Sequence, residues 1–153
     1  MFNRRFFDSI SNGAFLYGFN PAAKVDNRNY RRYVSFISSI TEILKDFDIN
    51  IKNKGYCYIV DAVSVIIDQN KLDIKLIDDV YPYIKMKYKL NNTAVIEHCI
   101  RNAISSAYRR RLNKPNNSRM NDYDKKPRNK EFLLMLTQEV THKMCTEYLT
   151  TSN

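Results

Sequence analysis

Apolar residues recur at three- and four-residue intervals in five stretches of the chain, and each stretch predicts an amphipathic helix. The predicted helices run over residues 30–47, 56–67, 74–88, 93–110 and 130–148, the last one capped by Asn129. The second stretch is rich in β-branched residues, but it lacks strict alternation and exceeds ordinary strand length. The pattern therefore predicts an all-α fold, a compact helical domain of about five or six helices.

For the third predicted helix, residues 74–88, the sequence also predicts a bend and a set of inward-facing residues. Pro82 falls inside this predicted helix, where it removes a backbone donor and favours a bend. The residues expected to face inward are Leu76, Ile77, Val80, Tyr81, Ile84 and Tyr88. Asp78 and Asp79 are expected to be solvated or paired charges on this helix.

A short polar turn, residues 89–92, separates the third and fourth predicted helices, which is the layout of a helix-turn-helix. Asn92 or Thr93 can cap the fourth helix. The residues expected to share its buried side are Ile96, Ile100, Ala103, Ile104 and Ala107. The residues expected to point outward are Glu97, His98, Arg101, Asn102 and Ser105. Such a row can read base edges in a major groove, although an ordinary surface helix has the same periodicity.

Three segments are predicted along the chain. Residues 1–29 form an aromatic-rich N-terminal arm, interrupted by glycine and proline, that is expected to pack on the body or on a second copy. Residues 30–149 form the helical DNA-binding domain, and residues 150–153 form a fraying tail. A length of 153 residues is sufficient for one domain with a hydrophobic core.

Net charge narrows the class of partner. The chain carries a formal charge of +9, which favours a polyanion such as nucleic acid or an anionic membrane surface. Between residues 85 and 130 there are 13 basic and only 3 acidic residues, so the excess lies on and just after the fourth predicted helix. A solvated basic face without a ligand is the alternative interpretation.

Other classes of function lack support in the sequence. Three widely spaced cysteines suit reduced thiols in the cytosol, and no stretch approaches the ~20 apolar residues of a membrane span. His142 and Cys145 have a spacing that zinc could use, but no further ligand completes a site. A phosphate-binding glycine loop and a catalytic triad pattern are missing as well. We therefore expect a cytoplasmic protein without metal, cofactor or enzymatic activity.

Several short motifs, in order along the chain, carry a family resemblance. They are Lys54–Gly55–Tyr56, Val80–Tyr81–Pro82 with Ile84 and Tyr88, Glu97 with Ile100–Arg101 and Ala103–Ile104, and Lys126–Pro127 with Asn129, Glu131–Phe132 and Met135. Over about residues 35–145 the chain resembles the C-terminal DNA-binding effector domain of the master sporulation response regulator of endospore-forming bacteria. The resemblance implies a recognition helix in the major groove and two copies paired on adjacent boxes.

The chain departs from this family at positions that matter for sequence preference. Val95 and His98 stand where the family carries arginines, and Asn102 stands where it carries histidine. Because a bidentate arginine–guanine contact contributes about 1–3 kcal/mol of discrimination, the preferred box should differ. A phosphorylatable receiver domain is not expected before residue 30, so DNA binding would be constitutive, or controlled by a partner or by protein amount.

The leading hypothesis is a sequence-specific double-stranded DNA-binding protein, a transcriptional regulator that works as a homodimer on DNA. The predicted base-reading residues are Val95, Glu97, His98, Arg101 and Asn102. The predicted phosphate-binding residues are Lys87, Lys89, Asn92, Thr93, Arg109, Arg110, Lys126, Arg128 and Lys130. RNA polymerase or a related regulator is a further expected partner. The alternative is a protein-interaction module that modulates a related regulator without reading an operator, and RNA binding ranks third.

Overall fold

A computed structural model describes residues 27–113 and 118–151, and all regular structure in these ranges is helical. The α-helices are α1 (Asn27–Asp46), α2 (Lys54–Gln69), α3 (Tyr81–Tyr88), α4 (Ala94–Arg110) and α5 (Asn129–Thr151). A π-helical turn, Leu76–Val80, precedes α3, and the 3-10 turns Arg111–Asn113 and Arg119–Asp122 follow α4. The all-α prediction is confirmed. The predicted arm lies outside the described residues except for its last three, which begin α1.

The hydrophobic core is built around α2, which packs against α3, α4 and α5, while α1 packs along α5. Its inward residues repeat at helical spacing, so one continuous apolar side is buried. The fully buried core side chains include Ile59, Ala62 and Val63 of α2, Ile40 and Leu44 of α1, and Phe132, Leu133 and Leu136 of α5. Phe47, just after α1, stacks edge to face on Phe132 with ring centroids 5.3 Å apart. The core therefore holds α4 on a fixed scaffold.

The first turn of α2 and the middle of α4 approach each other closely. Asn53 caps α2 by accepting a hydrogen bond from the Gly55 backbone N–H at 2.9 Å. A Cβ added to Gly55 would lie 2.8 Å from the Ala103 Cβ and nearer still to the Cys99 carbonyl oxygen. Only glycine fits between the two backbones, so this position sets the depth at which α4 packs.

The third predicted helix is wrong in one respect, because it is divided at Tyr81. Residues 76–80 form a π-helical turn closed by a bond from the Tyr81 N–H to the Leu76 carbonyl, and Pro82 lies in the first turn of α3. At that position the missing proline N–H would have had no helical partner anyway. The wider turn changes the angular spacing of side chains, which leaves Ile77 67% exposed rather than inward.

The start of α5 also differs from the prediction. Asn129 does not cap the helix, since it is buried and its side-chain amide donates to the Glu97 carbonyl on α4 at 3.0 Å. The capping contact is made by Glu131, whose carboxylate accepts from the Arg128 backbone N–H at 2.9 Å. Asn129 therefore joins α5 to the first turns of α4.

Substitution of Gly55 by alanine should destabilise the protein, because the added Cβ would force α2 away from the α4 backbone. The expected loss in the free energy of unfolding is about 1–3 kcal/mol, the usual cost of overpacking. Urea unfolding followed by circular dichroism measures it.

Lys54→Ala is the matched control, because Lys54 is the exposed neighbour in the same helical turn. Equal stability of Gly55→Ala and Lys54→Ala would contradict the close approach.

Candidate nucleic-acid interface

The two sides of α4 separate as the sequence predicts. Its inward residues Ile96, Ile100, Ala103, Ile104 and Ala107 are all at most 2% exposed. Val95, His98, Arg101 and Asn102 are exposed along the opposite side, and we call these four residues the reading face. Glu97 and Ser105 lie at its margin and are only partly buried. The predicted buried stripe is confirmed.

The turn between α3 and α4 is short and polar. Lys89 ends α3 in the left-handed conformation, with φ 52°, and its side chain is exposed. The Asn92 side-chain oxygen accepts from the Val95 N–H at 3.3 Å, whereas the Thr93 side chain makes no capping bond. Of the two predicted caps, Asn92 is the one used. The turn presents polar groups next to the N-terminus of α4, where the helix dipole favours an anion.

Glu97 is held from two sides. The buried Tyr81 hydroxyl donates to its Oε2 atom, and the half-exposed Arg101 guanidinium lies 3.0 Å from its Oε1 atom. Burial, and then the bond to Glu97, raise the pKa of Tyr81 well above its ordinary value of 10.0. The hydroxyl therefore stays protonated and remains a donor at neutral pH.

The remaining polar residues of the reading face form a second pair one turn apart. The Asn102 side-chain amide lies 2.9 Å from the His98 Nε2 atom, so the two side chains share a hydrogen bond on the surface. Val95 is 41% exposed beside them and offers the one apolar contact of the face. Charged, amide and apolar groups therefore lie together on consecutive turns of one exposed helix side.

Cations from the start of α5 flank α4. The Lys126 ammonium donates to the Ser105 hydroxyl of α4 at 3.0 Å, which places this side chain directly beside that helix. Arg128 and Lys130 are exposed, and the Lys130 ammonium is 3.8 Å from the Asp73 carboxylate, a loose contact. Arg109 is exposed near the other end of α4. Of these cations, Lys126 contacts α4 directly and Arg109 belongs to it, and Lys89 lies in the turn before it.

Two predicted phosphate-binding residues form ion pairs with acidic residues of neighbouring elements, Lys87 inside the fold and Arg110 at its surface. The Lys87 ammonium is 2.6 Å from the Asp61 carboxylate of α2, and these side chains are only 14% and 16% exposed. The Arg110 guanidinium donates to the Asp48 carboxylate at 2.9 Å and also to the Asp48 carbonyl. Both cations connect elements of the scaffold, so their charge is already compensated.

Sequence reasoning did not identify Tyr81 and Asn129 as parts of this site. Both are buried polar residues whose side chains reach Glu97, through its carboxylate and its backbone carbonyl respectively. A signal exists for Tyr81, because a tyrosine in an inward position needs a partner for its hydroxyl. The identity of that partner depends on tertiary contacts across three helices.

The described part of the chain contains neither a cluster of metal-ligating side chains nor a helix that could span a membrane. Residues 27–113 and 118–151 contain no group of three or more His, Cys, Asp or Glu side chains placed to hold a metal ion. His142 and Cys145 are both exposed on α5. None of the helices in these ranges is both long and apolar enough to span a bilayer.

A protein-family comparison agrees with this geometry. The model of the family described as sporulation initiation factor Spo0A C terminal matches residues 40–140 of the chain. The match spans more than half of the sequence and includes α2, α3, α4 and the start of α5, with all residues of the reading face. No solved structure gives a significant match.

Lys87→Gln should reduce stability, because it leaves the Asp61 carboxylate partly buried without its counter-charge. One Asp61 oxygen already lacks a hydrogen-bond partner among the described residues. The expected loss in the free energy of unfolding is on the order of 1–3 kcal/mol, measured by urea unfolding.

Arg109→Gln removes the same charge from an exposed position and serves as the control. A result in which the two variants are equally stable would place Lys87 among the solvated cations.

Proposed function

This chain belongs to the Spo0A C-terminal family of DNA-binding regulator domains, and from that premise we propose that it reads a base sequence in duplex DNA through α4. The observation that carries the proposal is the exposed reading face on a rigidly packed helix, bordered by cations. A major groove is wide enough for one α-helix and displays a distinct donor and acceptor pattern for each base pair. In this proposal α3, the turn and α4 act as a helix-turn-helix.

The reading face, together with Glu97 at its margin, supplies one type of contact for each class of base edge. Arg101 donates to guanine, and the Glu97 carboxylate accepts from cytosine, since each of its oxygens has a second lone pair. Asn102, together with His98, meets adenine, and Val95 packs on a thymine methyl group. In the protein without DNA, His98 and Asn102 share a hydrogen bond on this face.

Phosphate contacts would come from the border of the reading face. The cations proposed to make them are Lys89, Arg109, Lys126, Arg128 and Lys130. Asn92 and Thr93 add backbone and side-chain donors at the N-terminus of α4. Lys87 and Arg110 were also predicted to bind phosphate, and because they pair with Asp61 and Asp48 we expect their contribution to be smaller.

Several finer features belong to the same proposal. Two copies bind adjacent boxes as a homodimer, and RNA polymerase or a related regulator contacts the bound protein. Val95 and His98 replace cationic base contacts with an apolar group and an imidazole, which favours a box with different base pairs at those positions. The site of action is the cytosol, and no catalytic step is involved.

Exposed apolar side chains on α3 and on the π turn before it support one second candidate, a protein-interaction module. Met86 on α3 is 78% exposed and Ile77 on the π turn is 67% exposed, so this region offers apolar area to a partner protein. In this alternative the chain pairs with a related regulator and modulates it without selecting DNA. Selection from a random duplex library separates the two candidates, because only the DNA reader enriches a sequence.

Arg101→Ala should weaken binding to the selected duplex roughly 5- to 150-fold, the equivalent of about 1–3 kcal/mol, with little change on random duplex. Lys126→Ala should weaken both duplexes similarly and reduce the magnitude of the salt slope by about 1. Fluorescence anisotropy titrations at several salt concentrations measure both effects.

Arg31→Ala is the charge-matched control, because Arg31 is exposed on α1 outside the proposed interface. Equal losses on selected and random duplex for Arg101→Ala would remove that residue from base reading. Failure of the unsubstituted protein to select any sequence would overturn the proposed function.

A further inference from the structure

The base of the reading face contains a buried hydroxyl aimed at a surface carboxylate. The Tyr81 ring is fully buried at the first position of α3, and its hydroxyl donates to Glu97 Oε2 across the α3–α4 contact. A hydroxyl at that position satisfies its own hydrogen-bonding need, but it also removes rotational freedom from Glu97.

Glu97 passes this constraint to Arg101. An exposed ion pair one helical turn apart usually contributes little, because both long side chains lose entropy when they pair. Here the Glu97 carboxylate is already held by the Tyr81 hydroxyl. The Glu97 backbone carbonyl also accepts from the Asn129 side-chain amide at 3.0 Å. Only the Arg101 side chain remains to be ordered, and its guanidinium is 3.0 Å from the Glu97 Oε1 atom.

We propose that Tyr81 is a positioning residue for base recognition, whose hydroxyl holds the Glu97 carboxylate so that Arg101 meets a guanine edge in one orientation. This inference rests on the proposed function. The guanidinium fork is planar and rigid, so its bidentate contact depends on orientation more than a lysine contact would. Ordering the fork before binding lowers the entropy lost when the complex forms.

A purely structural role for the hydroxyl makes a different prediction. If Tyr81 only completes the core, its loss changes the stability of the protein and weakens all DNA binding in proportion to the unfolded fraction. If Tyr81 positions Arg101, its loss changes discrimination between sequences in a protein that stays folded. The specificity ratio, and its dependence on Arg101, therefore distinguishes positioning from packing.

The test uses Tyr81→Phe in the full chain, with binding measured on the selected duplex and on random duplex. Tyr81→Phe should weaken binding to the selected duplex about 3- to 10-fold while random binding changes less than about two-fold. The Arg101→Ala background should reduce this effect, because Tyr81 can then act only through the base contact of Glu97 itself. Tyr83→Phe, an exposed tyrosine of the same helix, is the control.

A measurement on the unsubstituted protein keeps the inference testable should Tyr81→Phe fail to fold. Nitrogen relaxation of arginine Nε–H groups in the DNA-free protein should show Arg101 more ordered than Arg109, which is exposed and borders the same face.

The possible outcomes distinguish failure of the positioning role of Tyr81 from failure of the proposed DNA-reading function. Equal losses on both duplexes, full additivity with Arg101→Ala, or equal mobility of the two arginines would overturn the positioning role while sequence selection by the unsubstituted protein stands. A chain that selects no sequence would overturn the proposed function and this inference together.

Discussion

The contact between the first turn of α2 and the middle of α4 is the constraint on which the site depends. Gly55 allows the two backbones to approach until a single added Cβ would clash with Cys99 and Ala103. Since α2 also packs on α3 and α5, this approach fixes α4 against the whole core. The apolar residues of α4 are thereby buried against the core, and the opposite side of the helix must face solvent. The exposure of the reading face is a consequence of packing rather than of surface composition.

Charge is divided between scaffold and surface in a way that net charge does not reveal. Lys87 of α3 forms an ion pair with Asp61 of α2. Arg110 of α4 forms one with Asp48, just after α1. Lys89, Arg109, Lys126 and Arg128 remain exposed around α4. A polyanion would therefore meet a border of cations whose positions are set by the same core that presents α4.

Periodicity was sufficient for the helices and for the two sides of α4, because a 3.6-residue repeat depends only on neighbouring residues. It failed where backbone geometry changes locally, as at the π turn that turns Ile77 outward. It also could not identify partners distant in sequence. Asp61 lies 26 residues before Lys87, and Asn129 lies 32 residues after Glu97. Such pairs depend on how the helices cross in the folded protein, and a short stretch of sequence does not determine that crossing.

The most direct test of the account is nuclear magnetic resonance of the isotopically labelled chain during titration with a selected duplex. Chemical-shift changes should concentrate on residues 89–109 and 125–130, with small changes along α1 and the rest of α5. Changes centred on α1 and α5, or an even distribution over the molecule, would contradict the assignment of α4 as the surface that meets DNA.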